Sequence, residues 1–323
     1  IKDGRLKPEI TAVGVDVMST TKVDSYLVSG GTSMACPGVA GGLALVSERY
    51  RQINGNVNAP ANVLKALVLN TATDIGNPGP DYTFGFGFMN IAKAINALNN
   101  NQYVSGVVSN GGQQTYTINV PPNTSQLKVM LLWFDVPAST ASSKQLVNDL
   151  DVTVTTPASV VHKPLILDAT PANILKNAVE GDDRLNNTEQ IVINNPQAGS
   201  YTITVKGYNV PSASQDFILT HDFIEQGVKL TYPTTGAQVS AGDSLRIYWD
   251  ASESANTQRI EYSTDGGSNW QQIVNNIDAT QRYYTWFVPA GISSGRCMMR
   301  VVRNVTNEQS STGLFVINPV PVV

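Results

Sequence analysis

The sequence predicts a multidomain chain, an α/β segment followed by two all-β units, and three observations carry that reading. The hydrophobic period is helical in the first hundred residues and switches to two after about Gln102. Gly, Pro, Asn and Asp then recur as turn chemistry between short alternating runs. A length of 323 residues, 41% hydrophobic and 14% charged, suffices for two or three cores. Units are therefore expected at 1–101, 102–226 and 227–323.

The first unit is organised around Ser29-Gly30-Gly31-Thr32-Ser33-Met34-Ala35-Cys36-Pro37-Gly38-Val39-Ala40-Gly41. This stretch reads as a glycine-permitted turn that runs into a helix, with a proline in the first turn and small residues following. Ser33 falls where unpaired helix N–H groups point outward, so its hydroxyl is placed to attack a carbonyl. The neighbouring amides can then hold the oxyanion that forms. The helix is expected to run to about Gln52. A second follows, with Ala61, Val63, Leu64, Ala66, Leu67 and Val68 giving its apolar face. Asn77-Pro78-Gly79-Pro80-Asp81 is a turn, Asn90 caps a last helix over Ile91–Leu98, and Asn99-Asn100-Asn101 marks a boundary.

In the second unit, strands are expected over Thr115–Val120, Leu127–Trp133, Leu150–Val154, Gln190–Ile193, Tyr201–Val205 and Asp216–Thr220. That number and length predict a sandwich, β-barrel or jelly roll. In the third, Leu245–Trp249, Ile260–Ser263, Tyr284–Val288 and Cys297–Val302 alternate around inward tryptophans, which predicts an immunoglobulin- or fibronectin-III-like sandwich. Trp249, Trp270 and Trp286 are expected mainly in its core, with an exposed aromatic binding patch as the alternative. The tail Asn318–Val323 reads as a linker stub.

Three motifs carry a family resemblance. Gly31-Thr32-Ser33-Met34-Ala35-Cys36-Pro37-Gly38-Val39-Ala40-Gly41 resembles the nucleophile signature of the subtilisin-like serine proteases, G-T-S-M-A-x-P-x-V-A-G. Lys7-Pro8-Glu9-Ile10-Thr11-Ala12-Val13-Gly14 resembles their K-P-D-(I/V)-x-A-P-G segment, with Val13 in place of proline. Phe84–Ala94 is similar to their closing G-x-G-x-(V/L)-(N/D)-x-x-x-A element. The resemblance implies that the chain holds the C-terminal part of a subtilisin-like α/β domain. Blocks such as Leu146–Asp151 and Gly199–Val205 resemble the β-barrel domain that follows it in some secreted subtilases.

The same resemblance implies a serine endopeptidase in which Ser33 forms the acyl-enzyme and Gly31, Thr32 and Met34 make the active-site turn. Ser29 and Gly30 would line the leaving-group side of the substrate cleft. The Thr32 hydroxyl either supports the oxyanion or closes the turn. Met34 is either an oxidation-sensitive edge of the site or packing filler. Gly38 stands where many relatives carry a larger residue, often histidine.

Such chemistry needs a histidine base and an orienting aspartate. Family order puts both upstream of the serine, and no D-T-G or H-G-T-x-V-A-G motif occurs here. His162 and His221, the two histidines present, both fall in the β-rich second unit. This polypeptide alone is thus expected to be inactive, completed by an N-terminal half of the same protease that carries Asp and His. The alternative is a non-catalytic adhesion or targeting protein with a vestigial protease segment. The implied partners are peptide or protein substrates, and the implied location is secreted or cell-surface.

Composition narrows the rest. A net charge of -4 offers no electrostatic case for nucleic acid or an anionic membrane, and no apolar run reaches spanning length. No organic cofactor is expected. Asn148, Asp149 and Asp151, with Asp182, Asp183 and Glu189, supply hard oxygen donors that suit Ca2+. Related secreted subtilases bind calcium, but the spacing is not that of an EF-hand, and Asp-rich turns are common in any sandwich. Cys36 and Cys297 lie far apart in different units, and Cys36 is read as a buried small hydrophobe rather than a disulfide partner or a catalytic thiol.

Overall fold

A computed structural model describes residues 3–252 and 256–320. It divides into two compact units, Ile1–Phe223 and Ile224–Val323.

The first unit opens with a hairpin of β1 (Val17–Thr21) and β2 (Ser25–Ser29), paired from Val17 against Ser29 to Thr21 against Ser25. Three helices follow: α1 (Thr32–Ile53), α2 (Ala61–Asn70) and α3 (Ile91–Asn99). Asn90 caps α3 as expected, its side chain accepting the Lys93 N–H at 3.1 Å. Gly42 lets α1 approach α3, for a Cβ there would lie 2.7 Å from the Ile91 side chain.

The remaining strands of this unit are β3 (Tyr103–Ser109), β4 (Gln113–Val120), β5 (Thr124–Leu132), β6 (Asp149–Thr155), β7 (Val161–His162), β8 (Leu165–Ile166), β9 (Val179–Glu180), β10 (Thr188–Asn194), β11 (Gly199–Asn209) and β12 (Ser214–Glu225). One sheet runs β10-β5-β12-β3 and the other β4-β11-β6-β7, with β8 and β9 as a separate pair. The chain exchanges strands between the two four-stranded sheets in the order of a jelly roll.

Residues on β5 alternate between two cores. Leu127, Val129 and Leu131, with Trp133 beyond the strand end, fill the space between the sheets beside Ile203 and Phe217. Met130 and Leu132 face the other way and pack with Val46, Leu67 and Leu98 of the three helices. β12 does the same, with Phe217 and Leu219 inward and Ile218 on the helices. The stretch Leu127–Leu132 of β5, apolar but for Lys128, is therefore buried on both faces. Between the same layers, buried Lys128 donates from Nζ to the Ala72 carbonyl at 2.9 Å. Gln190 Nε2 donates to Asn70 Oδ1 at 3.1 Å. The first two sequence-predicted segments thus share one hydrophobic cluster and belong to one compact unit.

The second unit comprises β13 (Val228–Tyr232), β14 (Gln238–Ser240), β15 (Ser244–Ala251), β16 (Gln258–Ser263), β17 (Gln271–Ile277), β18 (Tyr283–Phe287), β19 (Ser294–Arg303), β20 (Gln309–Ser311) and β21 (Phe315–Asn318). A sheet β13-β15-β18 faces a sheet β14-β21-β19-β16-β17, with β20 on β19 and β14 parallel to β21. This is an immunoglobulin-like sandwich. Trp249, Trp286 and Cys297 lie in its core with Ile247, Met299 and Phe315. Trp270 departs from the expected core position. It is half-buried, with the Arg300 guanidinium stacked 4.2 Å from its ring centroid. Of the tail, Asn318 closes β21, while Pro321, Val322 and Val323 lie outside the described residues.

Candidate active site

The turn before α1 is held from behind. The Gly31 N–H donates to the Gly14 carbonyl at 2.6 Å, and Gly31 takes φ 143°, open to glycine and hard for other residues. A Cβ on Gly14 would lie 2.8 Å from the Gly31 carbonyl oxygen and 3.2 Å from Ala35. Gly14 is thus a site residue that side-chain reasoning overlooks, because its contribution is a carbonyl and an absence of bulk.

The three motifs are stitched together by backbone. Thr11 N–H donates to Gly87 at 2.9 Å, Met89 N–H to Thr11 at 2.9 Å, and Phe86 N–H to Glu9 at 2.9 Å. A Cβ on Gly85 would lie 2.4 Å from the Glu9 backbone, and one on Gly87 2.3 Å from the Thr73 carbonyl. Those two crossings explain why the motif alternates with glycine. Burial alone would raise the Glu9 carboxyl, but Lys65 and Lys7, each 2.9 Å from Oε1, hold it below its ordinary value.

Ser33 is the second residue of α1 and is exposed. Among the described residues its hydroxyl has no hydrogen-bond partner. Its backbone N–H, one of the first-turn amides that a helix leaves unpaired, has no acceptor there either. Met34 and Ala35 N–H groups both close onto the Gly31 carbonyl, at 3.0 and 3.3 Å. Thr32 is exposed and Met34 half-buried; Ser29, half-buried, and Gly30, exposed, end the hairpin directly before the turn. An exposed serine hydroxyl and an unpaired amide thus share the first turn of α1, a position from which a serine could attack a carbonyl with oxyanion support.

Two expectations about this helix need correction. Pro37 stands in the second turn rather than the first, where its missing N–H deprives the Ser33 carbonyl of its usual i+4 donor. Cys36 is exposed rather than buried, and both cysteines are free. The reason is that only Gly42 and Val46 of the 22 residues of α1 are buried. A Cβ on Gly38 or Gly41 would meet nothing within 4 Å. Met18, Tyr26, Leu27 and Val28 on the hairpin, Val15 just before it and Leu45 on this helix are likewise exposed.

Neither histidine reaches Ser33 by a hydrogen bond. His162 Nδ1 lies 2.8 Å from Glu180 Oε1, and His221 lies against Phe223 on β12, its pKa pushed down to about 4 by burial.

Of the six oxygen-donor residues, Asp149 and Asp151 come together on β6 around the Arg184 guanidinium. Burial, reinforced by the nearby Asp183 charge, pushes the Glu189 carboxyl well above the ordinary range. Asp182 stands apart, exposed and paired with Lys163 at 3.0 Å. Asn148 is buried and turned toward Ser212 and Gln215. Among the described residues, no group of three or more His, Cys, Asp or Glu side chains is arranged to hold a metal ion. No helix there is long and apolar enough to cross a membrane.

Residues 1–87 match the family model described as the subtilase family, and residues 227–301 match the bacterial Ig domain. The Dictyostelium discoideum protein named serine protease/ABC transporter B family protein tagA is 27% identical over 253 residues. Those cover 67% of this chain and 14% of its own length. The extracellular serine protease of Serratia marcescens is 32% identical over 100 residues, 28% of this chain and 9% of that protein. The fibronectin(III)-like modules of Clostridium thermocellum CbhA are 13% identical, covering 29% of this chain and 99% of theirs, at a TM-score of 0.22. The chain thus spans only a small part of the protease relatives that it matches.

Proposed function

We propose that this chain, whose residues 1–87 match the subtilase family, is the nucleophile-bearing part of a secreted or cell-surface subtilisin-type serine endopeptidase. The observation that carries the reading is an unpartnered serine hydroxyl at the N-terminus of α1, on a turn locked by the Gly31–Gly14 hydrogen bond. In this reading Ser33 Oγ attacks the scissile carbonyl and forms an acyl-enzyme. The Ser33 N–H, aided by the helix dipole, stabilises the oxyanion. The proton must pass to a histidine held by an aspartate, and both belong to an N-terminal segment outside this sequence. The bare side of α1 and the β1–β2 hairpin is the surface on which that segment would dock. Among the described residues, nothing packs on its glycines Gly38 and Gly41 or covers its exposed apolar side chains.

Labelling with a fluorophosphonate tests the reading. In the full-length protein, one equivalent should attach to Ser33, while the 323-residue chain alone should stay unlabelled. A full-length protein that leaves Ser33 unlabelled would instead favour an adhesion or targeting module with a vestigial protease segment.

A further inference from the structure

The acidic cluster of the jelly roll suggests calcium by composition, but its oxygens are already engaged. Arg184 Nη1 lies 3.0 Å from Asp149 Oδ1 and 2.5 Å from Asp151 Oδ1. The same guanidinium lies over the Tyr208 ring, Cζ 3.6 Å from the centroid. Lys144 Nζ reaches the second Asp149 oxygen at 3.2 Å. Asp183 Oδ1 accepts the Leu185 and Asn186 N–H groups at 2.8 and 2.9 Å, and its Oδ2 accepts Asn186 Nδ2 at 2.8 Å. The Asn148 amide oxygen accepts the Ser212 hydroxyl at 3.0 Å. Glu189 Oε2 accepts the Val152 N–H at 2.9 Å, which leaves Oε1 as a buried oxygen without a partner among the described residues.

Calcium requires six to eight oxygen ligands. This cluster offers one uncommitted oxygen on Glu189 beside a carboxylate pair that holds a fixed organic cation. The donor set does not fit the metal as it stands. We infer that Arg184 is the resident cation of this cluster, so that β6 and the Asp182–Asn187 loop hold together without a metal ion. Arginine is suited to that position because its planar fork serves two carboxylates at once, stays charged at every accessible pH, and stacks on an aromatic face. Lysine could satisfy the charge but neither the fork nor the stack.

The test is thermal unfolding of the 323-residue chain in excess CaCl2 and in excess EDTA, for wild type, Arg184→Gln and Arg184→Lys. Wild type should give the same Tm in both. Arg184→Gln should lose several degrees in EDTA, because two neighbouring carboxylates lose their counter-ion. It should recover part of the loss in CaCl2 but not in MgCl2, as the freed oxygens of Asp149, Asp151 and Glu189 become available. Arg184→Lys should fall between the two and respond weakly to calcium. A wild-type Tm that rises in CaCl2 would overturn the inference, since a metal that binds only the folded state must stabilise it. So would an Arg184→Gln chain as stable in EDTA as wild type. Should Arg184→Gln not fold, a calcium titration of wild type by calorimetry decides: no heat of binding supports the inference, and saturable heat sinks it.

Discussion

The two sides of the first unit are built to different degrees of completion. The jelly roll closes on itself: its strands fill one core between the sheets and a second against the helices, and β5 serves both. The segment that carries Ser33 is packed on its inner side only. Val46 and Gly42 of α1 are covered, whereas Leu45, one residue from Val46, stands in solvent at 54% exposure. The strongest sequence signature therefore sits on the least finished surface, and the weaker β pattern belongs to the self-sufficient part. A nucleophile motif reports chemistry, while core patterning reports autonomy; here the two diverge.

That contrast can be broken or sharpened in five ways. Ser33→Ala in the full-length protein should lower kcat about a million-fold, the scale of nucleophile removal in subtilisin, with Tm unchanged. Active Ser33→Ala protein in a peptide-hydrolysis assay would place the chemistry elsewhere. Leu132→Ala, in the core shared by sheet and helices, should cost about 2–5 kcal/mol in denaturant unfolding of the 323-residue chain. A loss confined to one side of that core would show that the two layers do not fold together.

His221 supplies the pH arm. Its folded pKa of about 4 lies below the unfolded value near 6.5, so between those values the unfolded chain binds more protons and stability rises with pH. The contribution is complete above about pH 6.5 and is lost progressively down to about pH 4, to a total of about 3 kcal/mol. His221→Phe should flatten this part of the stability profile; an unchanged slope would remove His221 as its source. Gly14→Ala should lower kcat/KM of the full-length enzyme about 100-fold by shifting the turn behind Ser33. Wild-type kinetics would mean that the Gly31–Gly14 bond is not needed for positioning. The smallest effect is expected for Leu45→Ser, within about 0.5 kcal/mol of wild type in this chain. The same change should measurably destabilise the full-length protein if a second segment covers α1.

Much of this was legible in the sequence. The glycine turn of the Ser29–Gly41 stretch announced α1, the helical period located α2, Asn90 announced the start of α3, and alternation placed the principal strands of both sandwiches. The hairpin β1–β2 escaped because Met18-Ser19-Thr20-Thr21 and Ser25-Tyr26-Leu27-Val28 are exposed on both faces, so no period-two pattern is imposed on them. β3 was missed for a related reason: only Val108 of its seven residues is fully buried. Exposure of Cys36 was not readable either, since a small residue in a helix carries no sign of which neighbours are present. At the candidate site, Ser33 and its turn were visible as a motif. Gly14 was visible as the end of the Lys7–Gly14 motif, but its part in holding the turn was not, because a backbone-to-backbone bond leaves no side-chain signature. The oxygen donors around Asp149 could be counted from sequence, but only coordinates show how many serve the protein's own amides and guanidinium.

The two-faced character of β5 and β12 also determines where this polypeptide can be divided. A sandwich begun at residue 102, the compositional boundary, would carry Met130, Leu132 and Ile218 as an uncovered greasy strip along one sheet. Such a fragment is a candidate for self-association and poor yield, for reasons unrelated to its own internal packing. A cut at residue 224 follows the division between the two compact units and leaves this strip covered by the helices. For anyone preparing the pieces, the helices at the start of the first unit are the lid of the jelly roll as much as they are the support of a serine.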